Sequence, residues 1–226
     1  YEATSSWMET ITLPLDQDAT GYVEVVMTYP EVCFGVEKDI DPSGGLMMYG
    51  EWLFIQSLAD AYGDDAPRRL WEHIAEVEGW EALEAKLAEH GDTIVDALAR
   101  YRVQNLVRDY EFTPHFADHT VWLEAVIDGT GDWTFTGEGI QELAANYFEL
   151  ALPPGSYYVH MRDDSGYLRV WAVGISGDVA DAIPLGKAGT VSTVGYDDVY
   201  LIVMSTEIAD DLLGCSYRSY SIDVQT

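Results

Sequence analysis

One change of pattern divides this chain and limits what it can fold into. Up to about residue 110, apolar side chains recur at three- and four-residue intervals, the period of helices with one buried face. From about residue 120 they come instead in short β-rich runs, one of them (168–175) alternating, cut by clusters of Gly, Pro and Asp. In the first part, residues 49–62 place Trp52, Leu53, Ile55, Leu58, Ala59 and Tyr62 on the broad apolar face of a helix that Gly63 ends. Asp64, Asp65 and Pro67 open a second helix over 66–77, carrying Leu70, Trp71, Ile74 and Val77. Two more follow, over 80–90 with Leu83 and Leu87, and over 93–110 with Ile94, Leu98, Tyr101 and Asn105. Connections this short favour antiparallel packing. In the second part the pattern predicts seven strands, at 121–127, 143–152, 157–161, 168–175, 190–194, 199–205 and 216–224. Such spacing points to a β-sandwich and away from a βαβ sheet. The expected fold is α+β, with an antiparallel helical layer over 1–118 and a β-sandwich over 119–226.

Charge narrows the partners. The 40 acidic against 11 basic side chains give a formal charge of −29, which would repel a polyanion over the whole surface and so excludes nucleic acid as a main partner. It also argues against docking on an anionic leaflet, and no apolar run approaches the roughly 18 to 20 residues of a spanning helix. Disorder is excluded by a hydrophobic content of 48% that includes 7 Trp and 15 Tyr. Seven of the 11 basic residues lie between Lys38 and Arg108, so the strand-rich part is nearly devoid of cations. Self-assembly of such a surface requires salt, divalent cations or close apolar contacts.

Two cysteines occur, Cys33 and Cys215. Acidity and an abundance of Tyr, Thr, Ser and Gly suit a secreted protein, which favours a disulfide between them over two buried thiols. The sequence begins Tyr1-Glu2-Ala3, with neither an initiator Met nor a signal segment, as expected after cleavage of a longer precursor.

Few residues offer chemistry of their own. His115 and His119 stand four apart, but Pro114 argues against a helix there, and the pair reads as a surface loop. The pairs Asp16/Asp18, Asp39/Asp41, Asp163/Asp164 and Asp197/Asp198 carry the oxygen ligands that calcium takes, although without a glycine-spaced loop each reads as a solvated turn. Tyr157, Tyr158, Tyr167 and Trp171 would serve either as stacking platforms of a carbohydrate-binding sandwich or as core. Serine-nucleophile motifs, a phosphate loop and a dinucleotide fingerprint are missing from the sequence.

The N-terminal run is the exception. At helical spacing Glu2, Ser6 and Glu9 share one side, a face that by itself reads as solvated. The run Tyr1-Glu2-Ala3-Thr4-Ser5-Ser6-Trp7-Met8-Glu9 resembles the segment that follows the HExxH helix in secreted bacterial and archaeal metallopeptidases of the gluzincin type. Residues 49–54, 61–63, the Trp71-Glu72 pair and 94–110 are similar to later blocks of the same group, in which a β-sandwich follows. The resemblance implies that Glu2 is the third zinc ligand, that Glu9 orients a ligand from behind it, and that Tyr49 donates to the oxyanion formed on a peptide carbonyl.

A gluzincin zinc also needs two histidines and a general-base glutamate from the HExxH helix, which this sequence lacks; one carboxylate does not hold a catalytic zinc. The resemblance therefore implies the C-terminal portion of a secreted zinc metallopeptidase-like protein, inactive alone. Its partners would be an N-terminal fragment carrying HExxH and a peptide or protein substrate. The competing expectation is an extracellular structural, assembly or binding protein derived from an inactive or processed peptidase, with Tyr and Trp supplying the contacts.

Overall fold

The computed structural model describes residues 2–13, 18–35, 45–77, 79–110, 116–208 and 215–226. The fold is α+β. Among the described residues the helices are α1 (Glu2–Thr12), α2 (Asp18–Gly21), α3 (Val23–Thr28), α4 (Met47–Gly50), α5 (Trp52–Tyr62), α6 (Ala66–Ile74), α7 (Gly79–Glu89) and α8 (Ile94–Val107). The strands are β1 (Leu123–Ile127), β2 (Gly131–Ile140), β3 (Ala145–Leu150), β4 (Ser156–Asp163), β5 (Leu168–Ser176), β6 (Val179–Gly186), β7 (Ala188–Ser192), β8 (Asp198–Ser205) and β9 (Arg218–Gln225). Two compact units result: Tyr1–Thr28 with Asp39–Thr120, and Tyr29–Lys38 with Val121–Thr226.

The helical unit is organised on α5, in which every residue from Trp52 to Ala59 is buried. α1, α6 and α8 pack on it, and burying side chains such as Trp52, Leu53 and Leu58 stabilises by about 1.5–3 kcal/mol each. Trp52 Nε1 also donates to the Ala19 carbonyl at 2.9 Å, fastening α2 to α5. The expected helix over 49–62 begins earlier, at Met47, and is interrupted at Glu51, so that it forms α4 and α5. α8 starts where its cap lies: Thr93 Oγ1 accepts from Asp96 N at 3.1 Å, and Arg108 ends the helix in the left-handed region at φ 58°.

The strand unit holds a five-stranded sheet in the order β1-β3-β8-β5-β6 and a four-stranded sheet in the order β2-β9-β4-β7. All pairs are antiparallel except β1 with β3. One core lies between the sheets, built from alternate residues of both: Phe148, Val170 and Leu201 from the first, Val159, Ile222 and Val224 from the second. Each of the seven strands expected is present. β2 and β6 are additional. β6 is an edge strand whose residues are mostly exposed and include Pro184, so it has neither alternation nor an unbroken run of N–H donors to betray it.

A short stretch of chain inside the helical half belongs to the strand unit. Residues 29–35 pair with the turn between β2 and β3: Ala145 N donates to the Pro30 carbonyl at 2.9 Å, Gln141 N to Glu31 O at 3.0 Å, and Phe34 N to Glu142 O at 3.2 Å. The boundary read from pattern alone, 118/119, follows the main change of unit and leaves this excursion out. Cys33 and Cys215 form the expected disulfide, and it lies within the strand unit. The same turn supports both half-cystines, because Gln141 Oε1 accepts from Cys33 N at 2.8 Å while the Glu142 carboxylate accepts from Ser216 N at 2.9 Å. Leu143, buried beside them, takes a φ of 54°. The disulfide therefore joins the excursion to the chain entering β9.

Candidate functional site

α1 forms because Ser6, Trp7 and Thr10, at helical spacing, give it one buried face, and Trp7 is clamped by a 2.8 Å hydrogen bond from its Nε1 to Gln56 Oε1 in α5. That face packs on α4 and α5. Glu2 and Glu9, seven residues apart, sit at one angular position on the flank, about 10 Å apart along the axis. Glu2 is exposed and Glu9 half-buried, and among the described residues no side-chain hydrogen bond or ion pair engages either carboxylate. Tyr49, in α4, is half-buried with its ring stacked on Tyr22 at 5.1 Å. The three residues thus belong to one unit, on helices that pack together.

The described residues do not complete a zinc site around Glu2. Their one group of three closely spaced potential ligands is Cys33, Glu142 and Cys215, and two of these are joined as the disulfide. His115 lies outside the described residues, as do Asp16, Asp39 and Asp41; His119 is half-buried. Asp163 commits its oxygens to Lys187 Nζ, Gly166 N and Leu168 N, and Asp197 Oδ2 accepts from Gly177 N at 2.9 Å. Both carboxylates organise turns.

Two polar clusters in the helical unit have no counterpart in the sequence reading. Tyr62 donates to Asp92 Oδ2, Arg100 reaches the same oxygen at 3.0 Å, and His90 stacks on the Tyr62 ring at 4.3 Å. Burial and the bond to Asp92 raise the Tyr62 pKa against the pull of Arg100. For Asp92, burial raises the pKa but the bonds from Tyr62, Thr93 N and Arg100 outweigh it and hold the carboxyl below its usual range. The second cluster is buried: Glu51, Tyr101, Arg102, Asn105 and Tyr110, with Tyr110 Oη donating to Asn105 Oδ1 at 2.7 Å and the Arg102 guanidinium 4.9 Å from the Tyr101 ring centre. Burial, aided by the Glu51 charge, raises the Tyr101 pKa. The first joins α5 to α8 and the chain before it, the second joins α8 to Glu51 and to Tyr110 beyond the helix end, and neither has a local motif by which to find it.

On the strand unit, Tyr157 is core, its hydroxyl donating to the Pro153 carbonyl at 2.8 Å, and Trp171 is half-buried. Tyr158 and Tyr167 are 45% and 47% exposed.

No protein-family model matches the chain, and no curated protein matches it. Among solved structures it is similar to PliG of Aeromonas hydrophila, a periplasmic lysozyme inhibitor of g-type lysozyme, at 14% identity and a TM-score of 0.32, over 44% of this chain and 94% of that one. PliG of Salmonella Typhimurium gives 12% identity and a TM-score of 0.32, over 45% of this chain and 98% of the other. The pre-peptidase C-terminal domain of collagenase from Bacillus anthracis gives 11% and 0.25, over 47% and 100%. The disulfide is itself informative, since such bonds persist in oxidising compartments such as the extracellular space and the periplasm. No helix among the described residues is long and apolar enough to cross a membrane.

Proposed function

We propose that this chain is the C-terminal portion of a secreted zinc metallopeptidase-like protein, in which Glu2 serves as the third zinc ligand and the strand unit is an appendage. The observation that carries the reading is the mounting of α1. Its buried side is fixed on α5 through Trp7 and Gln56, while the Glu2 carboxylate is exposed and uncommitted at the N-terminal turn. A ligand supplied to a zinc held mainly by another segment needs that combination of a rigid helix and a free carboxylate. The two histidines and the general base would come from an HExxH segment outside this sequence, so peptide hydrolysis is a property of the assembled protein and not of this chain. Zinc, when bound there, would activate water and polarise the peptide carbonyl. Tyr49 would donate a hydrogen bond to the oxygen of that carbonyl, and Glu9 would hold a neighbouring ligand in orientation.

Metal analysis of the protein isolated from its native source tests the reading. Stoichiometric zinc, together with a co-purifying HExxH segment and loss of that zinc in Glu2→Ala, is the expected result. Zinc content untouched by Glu2→Ala overturns the ligand assignment, and absence of both zinc and the HExxH segment overturns the peptidase reading.

A further inference from the structure

We propose that the solvent face of the four-stranded sheet binds a neutral polysaccharide chain, with Tyr158 as its stacking platform. The inference is independent of the zinc reading, because every residue it uses lies in the strand unit.

The alternation of β4 turns Tyr157, Val159 and Met161 into the core and leaves Ser156, Tyr158, His160 and Arg162 on the other face. Register then fixes their neighbours. Tyr158 lies between Gln225 of β9 and Thr190 of β7; His160 lies between Asp223 and Ala188; Arg162 lies beside Ser221. Across β9, Asp132 of β2 pairs with Asp223 and Thr134 with Ser221. With strands about 4.8 Å apart, this is a platform of polar side chains, among which the Tyr158 ring is exposed. Tyr158 is 45% exposed, and among the described residues no hydrogen bond engages its hydroxyl or the His160 ring.

The charges on this face are already matched to one another. Arg162 sits between Asp132 at 3.3 Å and Asp223 at 3.2 Å, and Gln225 Nε2 donates to Asp223 at 2.6 Å. That network holds the polar groups in place while leaving the Gln225 amide oxygen, the His160 ring and the Tyr158 hydroxyl to bond outward. A ring with an apolar face and a polar tip, flanked by the anchored Gln225 amide and by the Thr190 and His160 side chains, suits a ligand that is apolar on one side and hydroxylated at its rim, which describes a pyranose. A protein partner is disfavoured, since the centre of a protein interface is depleted of charge and clusters its aromatics, whereas among the described residues this face carries one Tyr and no Phe or Trp, beside His160, Gln225, Ser, Thr and ion-paired side chains. An anionic glycan is disfavoured by the formal charge of −29. What remains is a neutral glycan.

Native affinity electrophoresis tests this, with the intact protein run through gels containing hydroxyethylcellulose, galactomannan, starch or laminarin, and alginate as the anionic control. At least one neutral polymer should retard the protein, with alginate inert. Tyr158→Ala should weaken that retardation about tenfold or more in apparent Kd, Tyr158→Trp should keep it, and Tyr167→Ala should leave it unchanged. Indifference to every neutral polymer overturns the proposal. So does retardation by alginate alone, or retardation that Tyr158→Ala leaves intact. Circular dichroism of each variant separates lost binding from lost folding.

Discussion

Trp7 Nε1 and Gln56 Oε1 are joined by a buried hydrogen bond of 2.8 Å that spans 49 positions of sequence. Gln56 in turn donates to Asp60 Oδ1 at 2.6 Å, so its amide is oriented from both ends. Gln56→Leu would leave the indole N–H buried without an acceptor, at a cost of about 1–3 kcal/mol. The urea midpoint followed by far-UV circular dichroism should fall accordingly. A midpoint equal to that of the parent would mean that α1 is held by apolar packing alone.

Gly50 reverses the ordinary rule for a helix. Replacing Gly by Ala in a helix usually gains stability, by about 0.5–1 kcal/mol. Here a Cβ would stand 2.4 Å from the Tyr22 carbonyl oxygen and 2.8 Å from Val26 Cγ1. Gly50→Ala should therefore destabilise by about 1–3 kcal/mol and weaken the Tyr22–Tyr49 stacking beside it. Thermal melting of the variant gives the sign directly.

Asp163 links stability to pH. Burial raises its pKa, but bonds from Lys187, Gly166 N and Leu168 N outweigh that and depress the carboxyl below its usual range. A depressed folded-state pKa contributes stability that is present above the unfolded value, about 3.9, and is lost as pH falls through the folded value. Asp163→Asn should thus melt below the parent at neutral pH. The gap should close as acid protonates Asp163, and a gap of constant size down to pH values well under about 4 would refute the linkage.

The change of pattern near residue 120 was enough to predict the class of fold, because burial on one face imposes its period wherever an element is long. Thr93, Leu98 and Asn105 announced α8, alternation announced β5, and β-rich runs between turn clusters announced β4 and β8. The excursion at 29–35 left no such trace. Apart from Cys33, its place rests on main-chain bonds to Gln141, Glu142 and Ala145, and such bonds are indifferent to side-chain type. β6 was hidden for a related reason, since an exposed edge has no inner face to make apolar. Around the candidate zinc ligand, the sequence foretold a helix bearing Glu2 and Glu9. It held no sign of the Trp7–Gln56 bond that mounts that helix.

The disulfide closes a separation of 182 residues, and its contribution in the chain-entropy picture is about 3–5 kcal/mol. The Cys33→Ala/Cys215→Ala pair should lower the melting temperature of the strand unit and free residues 29–35 from the turn at 141–145. Faster amide exchange at Phe34, Gln141 and Ala145, three of the backbone donors in that pairing, would report the release.

Because that bond ties the excursion at 29–35 to the chain entering β9, a protease that nicks the backbone anywhere between Cys33 and Cys215 leaves a single covalent molecule. Its two polypeptides come apart only when a reductant is added. Maturation by internal cleavage would thus be invisible on a non-reducing gel, and a cut product would still carry Glu2 and β9 together into whatever assembly the protein joins.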